Sequence, residues 1–576
     1  MTKTDYLSIK NDLHLYCRLQ QQPHWFSKPS LNVGYHLPVR TYRSDYCEIH
    51  LQGYCINHLG RHLTIEDVTR IINQDGIKAI NQFDGSFIIA VNERSDCAWC
   101  ATDPCGSLPL YYRITSEEVT ITISPKNFQF LSTDKLDLRG ILSFLNSGYP
   151  WGELTLLQEW KVLGPGRLIQ INGDKQVVCK DYFVPETAYE LSAFHSPDDI
   201  LEELDRSLTS IATRYKNILV PLSGGVDSRL IAIRCHHLGI PFEAITFVAN
   251  NPSGDDFDIA SQLARIMGIK HHRWEWIIKD NCIENFQRLI LASGGMNDAF
   301  TSYPDGMDFF GQISSGFDCV IRGDETFGWG PTSHSIFDST ALLNIHMNDQ
   351  LTWAVRPNVT FPENIESLLR NWADCNSTVT GPNADTWKNR FYRKVRIPRF
   401  IMPIARWQAQ HVVITYPYLT RSFITRMTQT ELKKRDDKRI IREALVKCSP
   451  ASIRAIPQST SPTWRFVEPL LNLSDEVIGE MIDILLAPSQ IDEIIDAIIV
   501  AHQFKSIQKS LSDNSIKNLE KLERIKILLK RIIPRSTLKM FKRLLISQSR
   551  VSEYLVFKRL FAMKSYLASR SKNMLD

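Results

Sequence analysis

The sequence predicts a mixed α/β and α+β architecture: short strands and turns first, then a parallel sheet flanked by helices, then a basic helical tail. Three observations carry this. Up to about residue 190 the chain reads as short alternating strands separated by turns. From about 195 strand-like and helix-like segments alternate, the pattern of a parallel sheet with helices on its faces. The last stretch, Gln503 to Asp576, holds 18 Lys or Arg against 5 acids in a chain of net charge only +4.

With 576 residues the chain exceeds what one core supports. The divisions predicted are 1–190, 191–500 and 501–576. In the first, "CEIHLQGYCIN" and "GSFIIAVNE" read as strands, "EVTITISPK" as a further alternating one. "TIEDVTRIINQDG" reads as a helix with Thr64 as N-cap and Gly76 just past its end. In the second, "NILVPL", "FEAITFV", "HHRWEWI" and "DCVIRG" are the strands. Between them lie the helical segments "SRLIAIRCHHLG" and "DFDIASQLARIMG", each closed by glycine. Residues 380–500 read as mostly helical.

Composition narrows the class. No run reaches about 18 apolar residues, so no spanning helix is expected. The start, "MTKTDYLSIKNDLH", lacks an apolar signal core, and a cytoplasmic location is expected. Twelve cysteines show no disulfide spacing, which fits a reducing compartment. Cys97 and Cys100, with Cys105 nearby, lack a fourth zinc ligand and read as packed thiols.

"VPLSGGVDSRLIA" (220–232) is the most informative stretch. Gly224 and Gly225 let backbone N–H groups approach an anion where a strand passes into a helix. Ser223 and Ser228 add hydroxyl donors. Asp227 repels a bare phosphate, so a hard cation such as Mg²⁺ is expected between them. The G-x-x-x-x-G-K-[ST] pattern is absent.

S-G-G-x-D-S after a strand resembles the pyrophosphate loop of the ATP pyrophosphatases, and the chain is similar to their asparagine synthetase group over most of 50–460. "QFDGSFIIAVNE" and "ATDPCGSLPLYY" resemble that group's "LDGxFAFAxxD" and "RDxxGxxPLYY". "DFDIASQLARIMGIKHH", "VIRGDETFGWG", "YPYLT" and "DKRIIREAL" follow in the family's order. The resemblance implies an N-terminal αββα (Ntn-type) sandwich, a glutamine amidotransferase-like domain. It implies an adenine-nucleotide-hydrolase (PP-loop) domain behind it. By the same resemblance Leu222, Ser223, Gly224, Gly225, Asp227, Ser228 and Gly323 hold the ATP pyrophosphate, and Val248 lies near the adenine. Asp227 and Asp324 would hold Mg²⁺, which offsets their repulsion and the charge of the leaving pyrophosphate.

The chain also departs from the family. The nucleophilic cysteine that opens glutamine-using members is missing: the chain begins Met-Thr-Lys, and Cys17 sits inside a strand as an apolar filler. Gln52 and Tyr54 replace the asparagine and glutamate of "NGEIYN". The glutaminase is expected to be inactive. On the synthetase side "RGDE" is two residues short, Thr420 replaces an aspartate, and the lysine expected shortly after Arg454 is absent. Arg465 or Lys438 are the candidates to supply its positive charge.

The expected activity is an ATP-dependent, AMP- and pyrophosphate-forming amide ligase acting on a small-molecule or peptide carboxylate, with ammonia or an amine as nucleophile. Ring-closing cyclases of the β-lactam or lasso-peptide type, sugar-acid amidation and a non-catalytic scaffold stay open. A homodimer is admitted. "LERIKILLKRIIPRSTLKMFKRLLI" (522–546) alternates apolar and basic residues, and would bind an acidic partner, an anionic membrane surface or the body of the protein itself. Nucleic acid is the weakest reading, because no aromatic-rich basic groove is evident.

Overall fold

The computed structural model describes residues 7–9, 13–20, 23–27, 39–44, 46–93, 97–124, 135–187, 192–249, 255–276, 281–302, 308–313, 315–324, 333, 339–340, 342–343, 345–346, 352–375, 384–459, 470, 473–512 and 548–572.

Two antiparallel sheets form the N-terminal region. The larger runs Leu7–Ile9, Val39–Arg43, Cys47–Ile56, Asp84–Glu93, Cys97–Thr102, Arg167–Ile171, Val177–Asp181, with His62–Leu63 paired to Cys47–Ile56. The smaller runs Lys161–Leu163, Leu110–Ile114, Glu118–Thr122, His14–Arg18, Phe26–Ser27. The two-residue period of a strand sorts the faces. Along Asp84–Glu93, Ile88 and Ala90 pack with Leu15, Cys17 and Ile121 of the smaller sheet. Phe87, Ile89 and Val91 point the other way, onto Val68 and Ile72 of the helix Ile65–Asp75. On the far side of the smaller sheet Tyr111 and Val162 meet Ile141 and Phe144 of the helix Leu138–Ser147. The layers are therefore helix, sheet, sheet, helix.

The helix Ile65–Asp75 starts and stops where its sequence says. Thr64 and Asp67 form a capping box, and Gly76, at φ 56°, sends its N–H back to Ile72 O. Cys17 is fully buried, burial pushes its thiol up to about 11, and it packs as a small apolar residue.

The third sheet is parallel throughout, from β1 (Ile218–Pro221), β2 (Glu243–Ala249), β3 (His271–Trp276), β4 (Cys319–Ile321) and β5 (Val413–Thr415), in the order β3-β2-β1-β4-β5. Helix α1 (Val226–His237) follows β1 and α2 (Asp256–Met267) follows β2. Ile218, Val220, Cys319 and Ile321 face α1, α2 and α3 (Arg439–Cys448), while Leu219, Val320 and Ile414 face the opposite core. Strand order reverses between β1 and β4, and ligands of such sheets bind at that switch, beyond the carboxyl ends of the strands.

Two features differ from the sequence reading. Strand β5 lies inside the stretch read as mostly helical. The boundary at 501 falls within the helix Ala497–Ser512. Of the alternatives left open for the basic tail, its distal part takes the packed one: α4 (Gln548–Lys572) packs against the helices Leu138–Ser147, Cys282–Ala292, Asp475–Leu486 and Ala497–Ser512. The segment 522–546 lies outside the described residues. Among the described residues no helix is long and apolar enough to cross a membrane.

Candidate active site

The carboxyl end of β1 opens into the glycine-serine loop, which is tied from three sides. Leu222 donates its N–H to Ile245 O (2.8 Å) and accepts from Thr246 Oγ1 (2.6 Å), fixing the loop to β2. Ser223 and Ser228 bond each other, N–H to Oγ at 3.0 Å and Oγ to Oγ at 2.9 Å, and Gly225 N–H reaches Ser223 Oγ at 3.2 Å. Gly224 N–H donates to Asp256 Oδ1 (2.5 Å), at the start of α2. Gly224 O accepts from Arg229 Nη2 (3.1 Å) and from Ser459 N–H (3.0 Å). Arg229 further donates to Ile456 O (3.0 Å) and Pro457 O (2.7 Å). Burial raises the Asp256 carboxyl above its ordinary range, against the pull of the Gly224 N–H and the Arg229 charge.

Gly224 is sterically required. A Cβ on Gly224 would lie 2.6 Å from Ser459 Cβ and 2.9 Å from Ile259 Cγ2. Gly224→Ala is expected to cost about 1–3 kcal/mol by overpacking, read as a fall in melting temperature together with lost nucleotide binding. A Cβ on Gly323 would sit 3.2 Å from Ser228 N and 3.5 Å from Asp227 Cβ, so the end of β4 lies directly on the first turn of α1.

That first turn has no side-chain cap: its N-cap is Gly225. Uncapped N–H groups and the positive end of the helix dipole favour an anion there. Two carboxylates stand at the same end of the sheet, each beside a cation. Asp227 Oδ2 lies 2.5 Å from Lys438 Nζ, and its backbone oxygen accepts from Tyr418 OH at 3.1 Å. Asp324 meets Arg322 in a fork, Nε to Oδ2 at 2.7 Å and Nη2 to Oδ1 at 3.2 Å, and Arg322 also donates to Gln408 Oε1 at 2.9 Å. Hydroxyls, free helix donors and two carboxylates are the set a metal–polyphosphate needs, so these residues fit Mg²⁺ and ATP.

The structure thus brings Ser223, Gly224, Gly225, Asp227, Ser228, Gly323, Asp324 and Lys438 to one end of the sheet. Val248 and Leu222 are 1% and 2% exposed, and both side chains belong to the packed interior. Arg465 lies outside the described residues. Sequence reasoning missed Arg322, Arg229 and Tyr418. Arg322 stands where the resembled motif has serine, a departure visible in "VIRGDE"; Arg229 and Tyr418 gave no such signal.

At the N-terminal region the altered turn is packed shut. Gln52 is fully buried and accepts the Leu13 N–H at 2.8 Å. Gly53, at φ 95°, sits where a Cβ would be 2.0 Å from Ser86 O. Arg214 lies over the Tyr54 ring at 5.1 Å. The cavity left between Tyr54, Asp84, Arg214 and Thr415 is about 50 Å³, space for a few waters and too small for an amino acid. Burial pushes the Asp84 carboxyl up to about 7, against the N–H groups of Gly85 and Arg421 that it accepts.

Among solved structures, NMN synthetase from Francisella tularensis is 19% identical with a TM-score of 0.19, covering 24% of this chain and 58% of its own. The allosteric regulatory enzyme of purine biosynthesis is 11% identical at TM-score 0.19, covering 46% of this chain and 75% of its own. Glutamine phosphoribosylpyrophosphate amidotransferase from B. subtilis, complexed with ADP and GMP, is 11% identical at TM-score 0.18, covering 46% and 76%. Superpositions this loose define no fold. No curated protein matches the chain. Residues 199–328, the span that holds β1, the glycine-serine loop, α1 and the β4 end with Asp324, match the asparagine synthase family model.

Proposed function

We propose that the chain is an ATP-dependent amide ligase of the asparagine synthetase type, which activates a carboxylate as its acyl-adenylate and releases pyrophosphate. The observation that carries this is the uncapped first turn of α1 at the switch point, wrapped by the Ser223–Ser228 loop and faced by Asp227 and Asp324. The loop N–H groups and hydroxyls bind the β- and γ-phosphates and orient the α-phosphate for in-line attack. Holding carboxylate and nucleotide together makes adenylation effectively unimolecular, worth about 7–11 kcal/mol of barrier. Mg²⁺, when held by Asp227 and Asp324, would offset charge on the leaving pyrophosphate. The N-terminal layers serve as an Ntn-type domain without glutaminase chemistry, so the nitrogen comes from free ammonia or a substrate amine. Isopeptide or lactam ring closure and sugar-acid amidation use the same first step.

Lys438 on Asp227 and Arg322 on Asp324 favour one other reading, a scaffold whose metal carboxylates are permanently occupied. Pyrophosphate release from Mg-ATP decides, with glutamine, ammonia, aspartate and a metabolite extract offered separately. Release with aspartate and ammonia but not with aspartate and glutamine gives an ammonia-using asparagine synthetase. Release only with extract gives adenylation of another acid. No release and no ATP binding under any condition sinks the ligase and leaves the scaffold.

A further inference from the structure

A line of contacts runs from the N-terminal region to the start of α1. Asp84, 6% exposed, accepts the backbone N–H of Arg421 on Oδ2 at 2.7 Å, across 337 positions of chain. That N–H opens the helix Arg421–Gln429, whose N-cap Thr420 accepts the Phe423 N–H at 3.2 Å. Asp84 therefore satisfies a second donor at the end of a helix in the other region. Just before that helix the chain makes the 3₁₀ turn Pro417–Leu419, where Tyr418 donates its hydroxyl to the Asp227 backbone oxygen at 3.1 Å. Tyr418 is 1% exposed, and its ring meets Phe423 edge-on with centroids 5.2 Å apart. The resembled motif has phenylalanine at this position, so the hydroxyl and its bond are features of this chain.

The Asp84 end is held as firmly. Gly85 donates its N–H to Asp84 Oδ1 at 2.7 Å, and at φ 115° a Cβ on it would lie 2.5 Å from Tyr54 O. Arg421 lies over the Phe183 ring, 4.7 Å from its centroid. We propose that Asp84 is a positioning residue of the nucleotide site: it holds the Tyr416–Arg421 turn, and through the Tyr418 hydroxyl it sets the Asp227 carbonyl and the first turn of α1. This rests on the ATP-binding reading above and gives the N-terminal region a role there that needs no glutamine.

Burial lifts the Asp84 carboxyl to about 7, so as pH rises through that value the bond to Arg421 becomes charge-assisted, roughly twice as strong. A negative charge suits a helix N-terminus, and the cavity beside Asp84 has room for waters, so ionisation needs no opening of the contact. Asp103, Cys55, Cys105, Tyr182 and Arg421 face the same carboxyl, and His62, Arg214, Tyr54, Tyr215 and Tyr416 line the cavity with it. Burial pushes both thiols and the Tyr182 phenol up and the His62 imidazole down to about 4, so none of these changes charge near neutrality. Asp103, also raised by burial, accepts from Ser107 Oγ and the Phe87 N–H, and Asp84→Asn separates its titration from that of Asp84.

The test uses the full chain and Mg–α,β-methylene ATP, followed by calorimetry, with Asp84→Asn, Tyr418→Phe and the double variant. Wild-type affinity should rise about threefold to tenfold from about pH 6 to about pH 8, the gain of a charge-assisted bond over a neutral one. Asp84→Asn should keep the low-pH affinity throughout. Tyr418→Phe keeps the ring and its packing and should lose the pH dependence too. Adding Asp84→Asn to it should change nothing more, because the two residues act along one line. A merely structural Asp84 would lower the melting temperature and leave the pH dependence in place. PH dependence that survives Asp84→Asn, or effects of the two variants that simply add, overturn the proposal. Hydrogen exchange of residues 416–429 without nucleotide reads the contact by itself. Protection relative to the intrinsic rate should rise through about pH 7 in the wild type and stay flat in Asp84→Asn. Flat protection in both overturns the proposal. Failure of the wild type to bind the analogue fails the ATP reading, and the exchange result still decides whether Asp84 holds the turn.

Discussion

Ending the chain after Ser547 is expected to leave no cooperatively folded protein. Helix α4 contributes Val556, Phe557, Leu560, Phe561, Met563 and Tyr566 to the largest core, each at most 2% exposed. Phe557 stacks on Phe504 with ring centroids 3.8 Å apart, and Gly295 makes room for Tyr566, whose Cβ would be 2.6 Å from a Cβ there. At about 1.5–3 kcal/mol per buried side chain, removing α4 forfeits on the order of 10 kcal/mol, an upper estimate. That equals most of the 5–15 kcal/mol that holds a typical protein folded. Polar losses add to it. Arg559 donates to Asp298 Oδ2 at 2.9 Å, and Lys558 and Arg559 hold the buried Asp298 carboxyl below its ordinary range despite burial. Lys564 donates to Ala487 O (2.6 Å) and Asp492 Oδ2 (2.7 Å). The measurement is a thermal melt by circular dichroism, with removal of 573–576 as control. A truncated chain melting cooperatively within a few degrees of full length would show that α4 is an appendage.

The same helix explains what the sequence hid. A charge count treats every basic residue as solvated, yet Arg559 and Lys564 are 4% and 1% exposed. The apolar residues of α4 fall on all sides of the helix, so no stripe marks the face that docks, which is the signature of a helix buried all round. Strand β5 was lost for a different reason: three residues between helices are too few for a period to register. Where the signal is local, the structural reading held. The strand-to-helix passage around Ser223–Ser228 and the capping of Ile65–Asp75 follow from residue types within a few positions of one another. The pairing of Lys438 with Asp227 follows from no local pattern. Lys438 reaches Asp227 across 211 residues, and only the packing of α3 against α1 brings them together.

Two carboxylates beside the glycine-serine loop, Asp227 at the start of α1 and Asp256 at the start of α2, are expected to fail in opposite ways. Asp227→Asn keeps the shape and removes the charge that would face the phosphates of a bound nucleotide. The pair with Lys438 is partly exposed, 22% and 19%, and such pairs contribute roughly 0–1 kcal/mol, so the melting temperature should scarcely move. Turnover should fall by at least about a hundredfold to a thousandfold, the usual loss when one aligned electrostatic group leaves a reacting centre. Asp256→Ala should show the reverse order. Asp256 is 3% exposed and accepts the Gly224 N–H at 2.5 Å; its loss strands a buried donor at about 1–3 kcal/mol and frees Arg229 from its nearby charge. Stability should drop visibly, with turnover lost because the loop donors are re-aimed. Melting curves and pyrophosphate release on both variants separate the two roles. If Asp227→Asn destabilises the fold as much as Asp256→Ala while turnover survives, Asp227 is a structural partner of Lys438 and the chemistry assigned to the loop is wrong.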